Sequence, residues 1–395
     1  MKKQVCAVVL AAGLAACGEA KVTEADVLET YADIAEAMYS DALATAEDLD
    51  KAVDRLLKKP SKKRLEAARE AWLAARVPYQ HTEVYRFGNA YVDEWEGRVN
   101  AWPLDEGLID YVDASYGTES DENVLYTANI IANPVLTLGG KDIDATKITA
   151  DLLQNELHEA DGVEANVATG YHAIEFLLWG QDLNGDGPGA GDRPWTDYAK
   201  RSKCTGGNCD RRGRYLRVST DLLIADLEEI VEAWSDRGAA RKALMDAGPQ
   251  GGIQMMLTGM GSLSYGELAG ERMKLGLLLN DPEEEHDCFA DNTHNSHYYN
   301  IVGIRNVYFG TYKRVNGKTV TGPSLHDLLE DAAPKVAEDM VAALNVTLDK
   351  ASAMKARAES VEAYDQMLGA GNAEGNAVLQ AVIDALVGQT RVIER

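Results

Sequence analysis

The chain has 395 residues and a formal net charge of −25. Such an acidic surface repels nucleic acid and anionic lipid, while it favours solubility and attracts cations. Beyond the first residues no stretch is apolar enough to cross a bilayer as a helix.

The chain opens MKKQVCAVVLAAGLAAC. Lys2 and Lys3 form a basic start and Val5 to Leu14 a short apolar run, the pattern of a secretory signal. Leu14-Ala15-Ala16-Cys17 matches a bacterial lipobox, so residues 1–17 read as a lipoprotein signal with Cys17 as the lipidated thiol. Gly18, not Asp, comes next. That argues against retention at the inner membrane and for an outer-membrane anchor facing the periplasm or the cell surface. Two or more acyl chains, each CH₂ contributing about 0.8 kcal/mol, would tether the protein durably.

Helical patterns fill most of the remaining chain. Thr23 with Asp26 makes a capping-box-like start. Val27, Leu28, Tyr31, Ile34, Ala35, Met38 and Ala42 then recur at helical spacing, and the stripe continues through Leu49, Val53 and Leu56. Pro60 breaks it. A second helix is predicted over 61–86, with Leu65, Ala68, Trp72 and Ala75 on one face. Residues 87–125, rich in Gly, Asp, Trp and Tyr, read as a long irregular loop, a kind that is often functional. Helices are predicted over 145–160 and 163–180, then a Gly/Asp loop over 182–189. Cys204 and Cys209 bracket a four-residue loop, and a disulfide between them suits an oxidising compartment. Further helices are predicted over 210–236, 251–280, 325–346, 349–368 and 372–393. Without βαβ alternation the expectation is an all-α fold. Two bundle domains are expected, residues 23–205 and 210–395, and a diverged duplication would fit them.

Four segments carry candidate chemistry. In Gly170–Gly180 (GYHAIEFLLWG), His172 and Glu175 lie three residues apart in an apolar helix, so both fall on one face, one turn apart. Neither suits an apolar run without a partner; they hold a metal together, or they hold each other. Zinc-peptidase signatures are absent: no H-E-x-x-H occurs, and Phe176 stands where the inverted form needs His. A second segment, from Arg76 to Gly107, mixes charge with aromatics. In it Glu83 and Arg86 can pair at i, i+3, Trp102 lies among the aromatics, and Asp105 and Glu106 sit on a loop. A third, Glu283 to His297, is rich in carboxylates and imidazoles; His294 and His297 would share a helix face. The fourth, Asp182-x-Asn184-x-Asp186-Gly187, imitates the start of a calcium loop, but Arg193 stands at the twelfth position where a Glu is required.

Taken together, Gly170-x-His172-x-x-Glu175, WPLDEGLIDY at 102–111 and HDCFADNTHNSHYYNIVGIRNVYFG at 286–310 resemble the imelysin family. Its relatives include iron-regulated proteins of bacterial envelopes. The resemblance implies a helical fold of two bundle-like domains, an envelope location and a link to iron uptake. Some members are described as metallopeptidases, others as metal-binding proteins without protease machinery. His172 and Glu175 are therefore the expected metal ligands, with iron favoured and zinc an alternative. From the residues themselves, Glu83, Asp105 and Glu106 are candidate further ligands, and Arg86, Trp102 and His294 candidate cleft residues. The expected partners are a metal ion or metal complex, the membrane through Cys17, and envelope iron-uptake components. Two other readings remain: a metallopeptidase using metal-activated water, and a structural or interaction lipoprotein in which His172 and Glu175 only brace the fold.

Overall fold

The computed structural model describes residues 21–395, so the expectations for the signal and for Cys17 lie outside the described residues. Helices α1 (Glu24–Lys58) and α2 (Lys62–Gln80) form an antiparallel pair. The capping box at Thr23 is present: its backbone N–H donates to Asp26 Oδ2 at 2.9 Å, and the Asp26 N–H donates to Thr23 Oγ1 at 3.3 Å. The α1 stripe from Val27 to Leu56 is buried as its spacing predicts.

Residues 87–125 are more ordered than their composition suggests. They contain α3 (Ala90–Asn100) and the single turn α4 (Glu106–Ile109). The Asn89 side chain caps α3 by accepting from the Tyr91 N–H. The opposite correction applies to 145–169, which is mostly irregular, with a π turn at Leu152–Leu157 and left-handed backbone at Glu159 and Asp161. A small hairpin, β1 (Val135–Leu138) with β2 (Lys141–Asp144), precedes it.

Helix α5 (Gly170–Trp179) is buried on every side, as an all-round apolar helix must be. Its first residue decides where it can sit. Gly170 has φ +82°, and a Cβ there would stand 2.5 Å from the Val99 carbonyl oxygen. Only glycine lets α5 start this close to the end of α3.

The Cys204–Cys209 disulfide is formed. It closes the loop before α6 (Cys209–Trp234), and α6 packs along α1 and α5. Helices α7 (Ala239–Asp246) and α8 (Gly248–Ser262) come next. The Gly-dotted stretch then runs through a π-helical segment, Leu263–Lys274, into α9 (Leu275–Leu279). Its glycines allow close approach: a Cβ on Gly259 would lie 2.2 Å from the Val84 carbonyl oxygen. The chain continues through α10 (Thr293–Tyr308), the hairpin β3 (Thr311–Lys313) with β4 (Thr319–Thr321), α11 (Leu325–Ala332), α12 (Pro334–Ser360), α13 (Tyr364–Leu368) and α14 (Ala373–Ile393). The fold is thus predominantly helical. The buried apolar residues form one continuous cluster running from α1 to α14. Among the described residues no helix is long and apolar enough to cross a membrane.

Candidate metal centre

The site lies where α2, α3 and α5 meet the segment leading into α10. On α5, His172 Nδ1 stands 3.0 Å from Glu175 Oε2, the one-turn contact that the i, i+3 spacing predicts. Glu175 Oε1 accepts the Ala290 N–H at 3.0 Å, so the carboxyl is fixed from both sides. Whichever of the two groups carries the shared proton, this contact engages Nδ1 and leaves His172 Nε2 buried without a partner. That is the support a metal-binding imidazole usually receives.

The groups that meet α5 here come from far along the chain. The His286 ring packs edge-on against His172 at 4.7 Å between centroids, and both of its nitrogens lack partners. His297, one turn into α10, stacks on His286 at 6.5 Å, and its nitrogens are also unpartnered. Asp287 is different. Its Oδ1 accepts Arg76 Nη2 at 2.7 Å, and its Oδ2 accepts Asn292 Nδ2 at 2.8 Å and the Ser296 hydroxyl. Arg76 also donates to Asn100 Oδ1 at 2.6 Å. His172, His286 and Asp287 each offer a ligand atom within 4.8 Å of the other two.

Burial sets the charge state. It drives the His172 imidazole down to about 3, helped by the neighbouring Arg76, and His297 likewise to about 3. These rings are neutral, with lone pairs available to a cation. Burial and the adjacent Asp287 push the Glu175 carboxyl well up. Burial also opposes charge on Asp287, yet Arg76 and the hydrogen bonds hold it at about 2. The imidazoles therefore offer neutral lone pairs, while Asp287 keeps a negative charge that Arg76 offsets.

A cavity of about 430 Å³ opens onto the two imidazoles. His172 and His286 line it together with Trp102, Asp105, Glu106 and Glu283. Trp102 is held by its indole N–H, which donates to the Glu285 carbonyl at 2.9 Å, and its ring stands edge-on to His286. Burial pushes the Glu106 carboxyl up to about 7. Asp105 accepts Asn123 Nδ2 at 2.6 Å.

Of the expected residues, then, the fold gathers His172, Glu175, Asp105, Glu106 and Trp102. It does not bring Glu83 to the cavity. That carboxylate pairs with Arg272 Nη2 at 2.8 Å, where the π-helical segment carries the guanidinium inward. Arg86 does not pair with the Glu83 side chain; it is held by Asp93 at 3.0 Å and by Glu96 and Glu267 at 3.4 Å. His294 sits apart, its Nε2 3.0 Å from Asn295 Nδ2. Sequence reasoning names His297 only as sharing a helix face with His294, and it does not single out His286, Asp287 and Arg76 as site residues. Glu285-His286-Asp287 stands out as a polar run, but spacing does not say which of several adjacent polar groups turns inward.

The sequence model of the family described as Imelysin (Peptidase M75) matches residues 35–393. The chain belongs to the imelysin family. This imelysin-family chain is 25% identical over 337 residues to the iron-regulated protein A of Synechococcus elongatus, covering 82% of this chain and 74% of that one. Its fold matches a Parabacteroides distasonis crystal structure described as that of an iron-regulated protein A precursor. The TM-score is 0.66, with 20% identity and 95% of each chain covered.

Proposed function

We propose that this protein binds a transition-metal ion, iron or zinc, at His172 and His286, and serves iron handling at the bacterial envelope as a lipoprotein anchored through Cys17. The observation that carries this is the set of buried imidazole nitrogens without partners: His172 Nε2 and both nitrogens of His286 and His297. An unsatisfied buried polar atom costs about 1–3 kcal/mol. Two adjoining rings bearing such atoms, His172 and His286, make sense when a cation takes one nitrogen of each. Imidazole with carboxylate suits iron, zinc or manganese. The acidic rim of Asp105, Glu106 and Glu283 favours an aquo cation or a cationic complex over an anionic chelate. Iron uptake and contact with envelope transport components are inferred from the likeness to the iron-regulated relatives.

The deciding experiment is anaerobic titration of the purified protein with ferrous iron and, separately, zinc. His172→Ala and His286→Ala should each weaken binding by tenfold or more. Unchanged affinity in both variants would overturn the assignment. It would leave the reading in which His172 and Glu175 only brace the fold. A hydrolytic reading has one observation in its favour: Glu106, with a carboxyl near neutrality, shares the cavity with both imidazoles, as a base for metal-activated water would. Chelator-sensitive peptide cleavage lost in Glu106→Gln would establish it.

A further inference from the structure

A second cluster, made of oxygen alone, gathers around the residue that precedes His286. Asp182 lies on the loop after α5, Asp291 closes the short turn before α10, and Asp365 lies in the first turn of α13. One carboxylate oxygen from each lies within 4.8 Å of the other two, the span that two oxygens reach on opposite sides of an ion held at about 2.4 Å. A fourth carboxylate is independent of that trio. Glu285 is 1% exposed, and neither of its oxygens has a hydrogen-bond partner. Both oxygens of Asp365, 2% exposed, are equally bare. Asp182, Glu285 and Asp365 line one cavity of about 10 Å³, roughly the room one water-sized occupant needs. The groups that act most on the four are one another's carboxylates, Asp186, and the uncharged neighbours Asn184, Thr293 and Gln366, with no cation among them.

Asp182, Glu285 and Asp365 line one small space, and Asp291 lies beside Asp182 and Asp365; without an Arg or Lys among them, these carboxyl groups repel one another unless a cation stands between them. We propose that Asp182, Asp291 and Asp365, with the buried Glu285 lining the same cavity as Asp182 and Asp365, form a site for one calcium-like hard divalent cation. The donor set is carboxylate oxygen without nitrogen or sulfur, the chemistry of calcium and not of iron or zinc. Magnesium keeps several waters and suits a wetter, octahedral space. The loop beginning at Asp182 imitates a calcium loop in sequence. Its twelfth residue, Arg193, is committed to Asp110 at 2.7 Å, so the remaining ligands come from elsewhere in the chain. The bound ion ties three distant segments together, and because Glu285 precedes His286 it fixes the stretch of chain that carries the imidazoles. This site stands independently of the metal centre proposed above.

The test uses the purified chain stripped with EGTA and titrated with calcium chloride by calorimetry, with melting curves in parallel. One calcium per chain and a raised melting temperature are expected. Magnesium chloride at equal concentration should not displace it. Asp365→Asn combined with Glu285→Gln should weaken calcium at least tenfold, and Asp291→Asn, at a half-buried position, is the milder second variant. His172→Ala should leave calcium binding intact. The proposal is overturned if the unaltered protein neither binds calcium nor gains thermal stability. It is equally overturned if the carboxamide variants bind calcium like the parent, if His172→Ala abolishes binding, or if magnesium competes evenly.

Discussion

Arg76 and Asp287, both 1% exposed or less, are joined at 2.7 Å between Nη2 and Oδ1. The guanidinium also lies over the Tyr171 ring, 5.0 Å from its centroid. This pair links α2 to the segment bearing His286, so it holds the two sides of the site together. Breaking a buried pair from one side leaves an uncompensated charge, typically at a cost of about 3–5 kcal/mol. Arg76→Ala should therefore lower stability by that order, read from urea unfolding midpoints. Adding Asp287→Asn to it should recover part of the loss. Equal stability of Arg76→Ala and the parent would show that the pair contributes nothing.

Gly170 is the second lever. A side chain there meets a left-handed φ, costing about 1–2 kcal/mol by itself, and a backbone oxygen at 2.5 Å. Gly170→Ala should destabilise by more than the φ term alone. It should also weaken metal binding, because α5 must shift to relieve the contact and carries His172 with it. A variant with parental melting temperature and parental affinity would refute the close-packing account.

Glu83 and Glu175 should part company. Glu175 fixes His172 Nδ1, and loss of such a supporting carboxylate commonly costs about 10–100-fold in metal affinity. Glu175→Gln should fall in that range. Glu83 is committed to Arg272, so Glu83→Gln should lower stability while leaving metal affinity within a few-fold. Calorimetric titration of both variants checks this, and equal losses would mean that Glu83 reaches the ion after all.

His297 gives a prediction in pH. Burial holds its folded-state value near 3, against an ordinary 6.5. Between those values the unfolded chain binds a proton at His297 that the native protein does not. Stability from this residue is therefore complete above about pH 6.5 and is lost as pH falls toward 3. Raised carboxyls such as Glu106 act in the opposite sense over part of that range, so the difference between variants is the quantity to measure. His297→Gln should lose less stability than the parent between pH 6.5 and 4, by at most about 1.4 kcal/mol per pH unit. Parallel stability–pH curves would exclude that role.

Periodicity carries most of the fold. The α1 stripe marked out by spacing is the one that is buried, and α1 ends just before Pro60, because amphipathic helices display their packing in their spacing. Residues 163–169 imitate helix because an apolar run alone does not reveal that Gly170 starts α5 against Val99. The His172–Glu175 contact is readable, being local and fixed by helix geometry. His286 and Arg76 are not: their proximity depends on how α2 meets the chain before α10. Glu83 misleads for a related reason. Its neighbour in sequence, Arg86, is visible, whereas the residue that engages it, Arg272, lies 189 positions along.

Because Arg76, Asn100 and His172 must meet His286 and Asp287, no N-terminal fragment ending before the last third of the protein holds the residues of the proposed centre. An emerging or truncated polypeptide would leave its imidazoles scattered. Capture of the proposed ion would thus begin only once the chain through His286 and Asp287 has packed against α2 and α5.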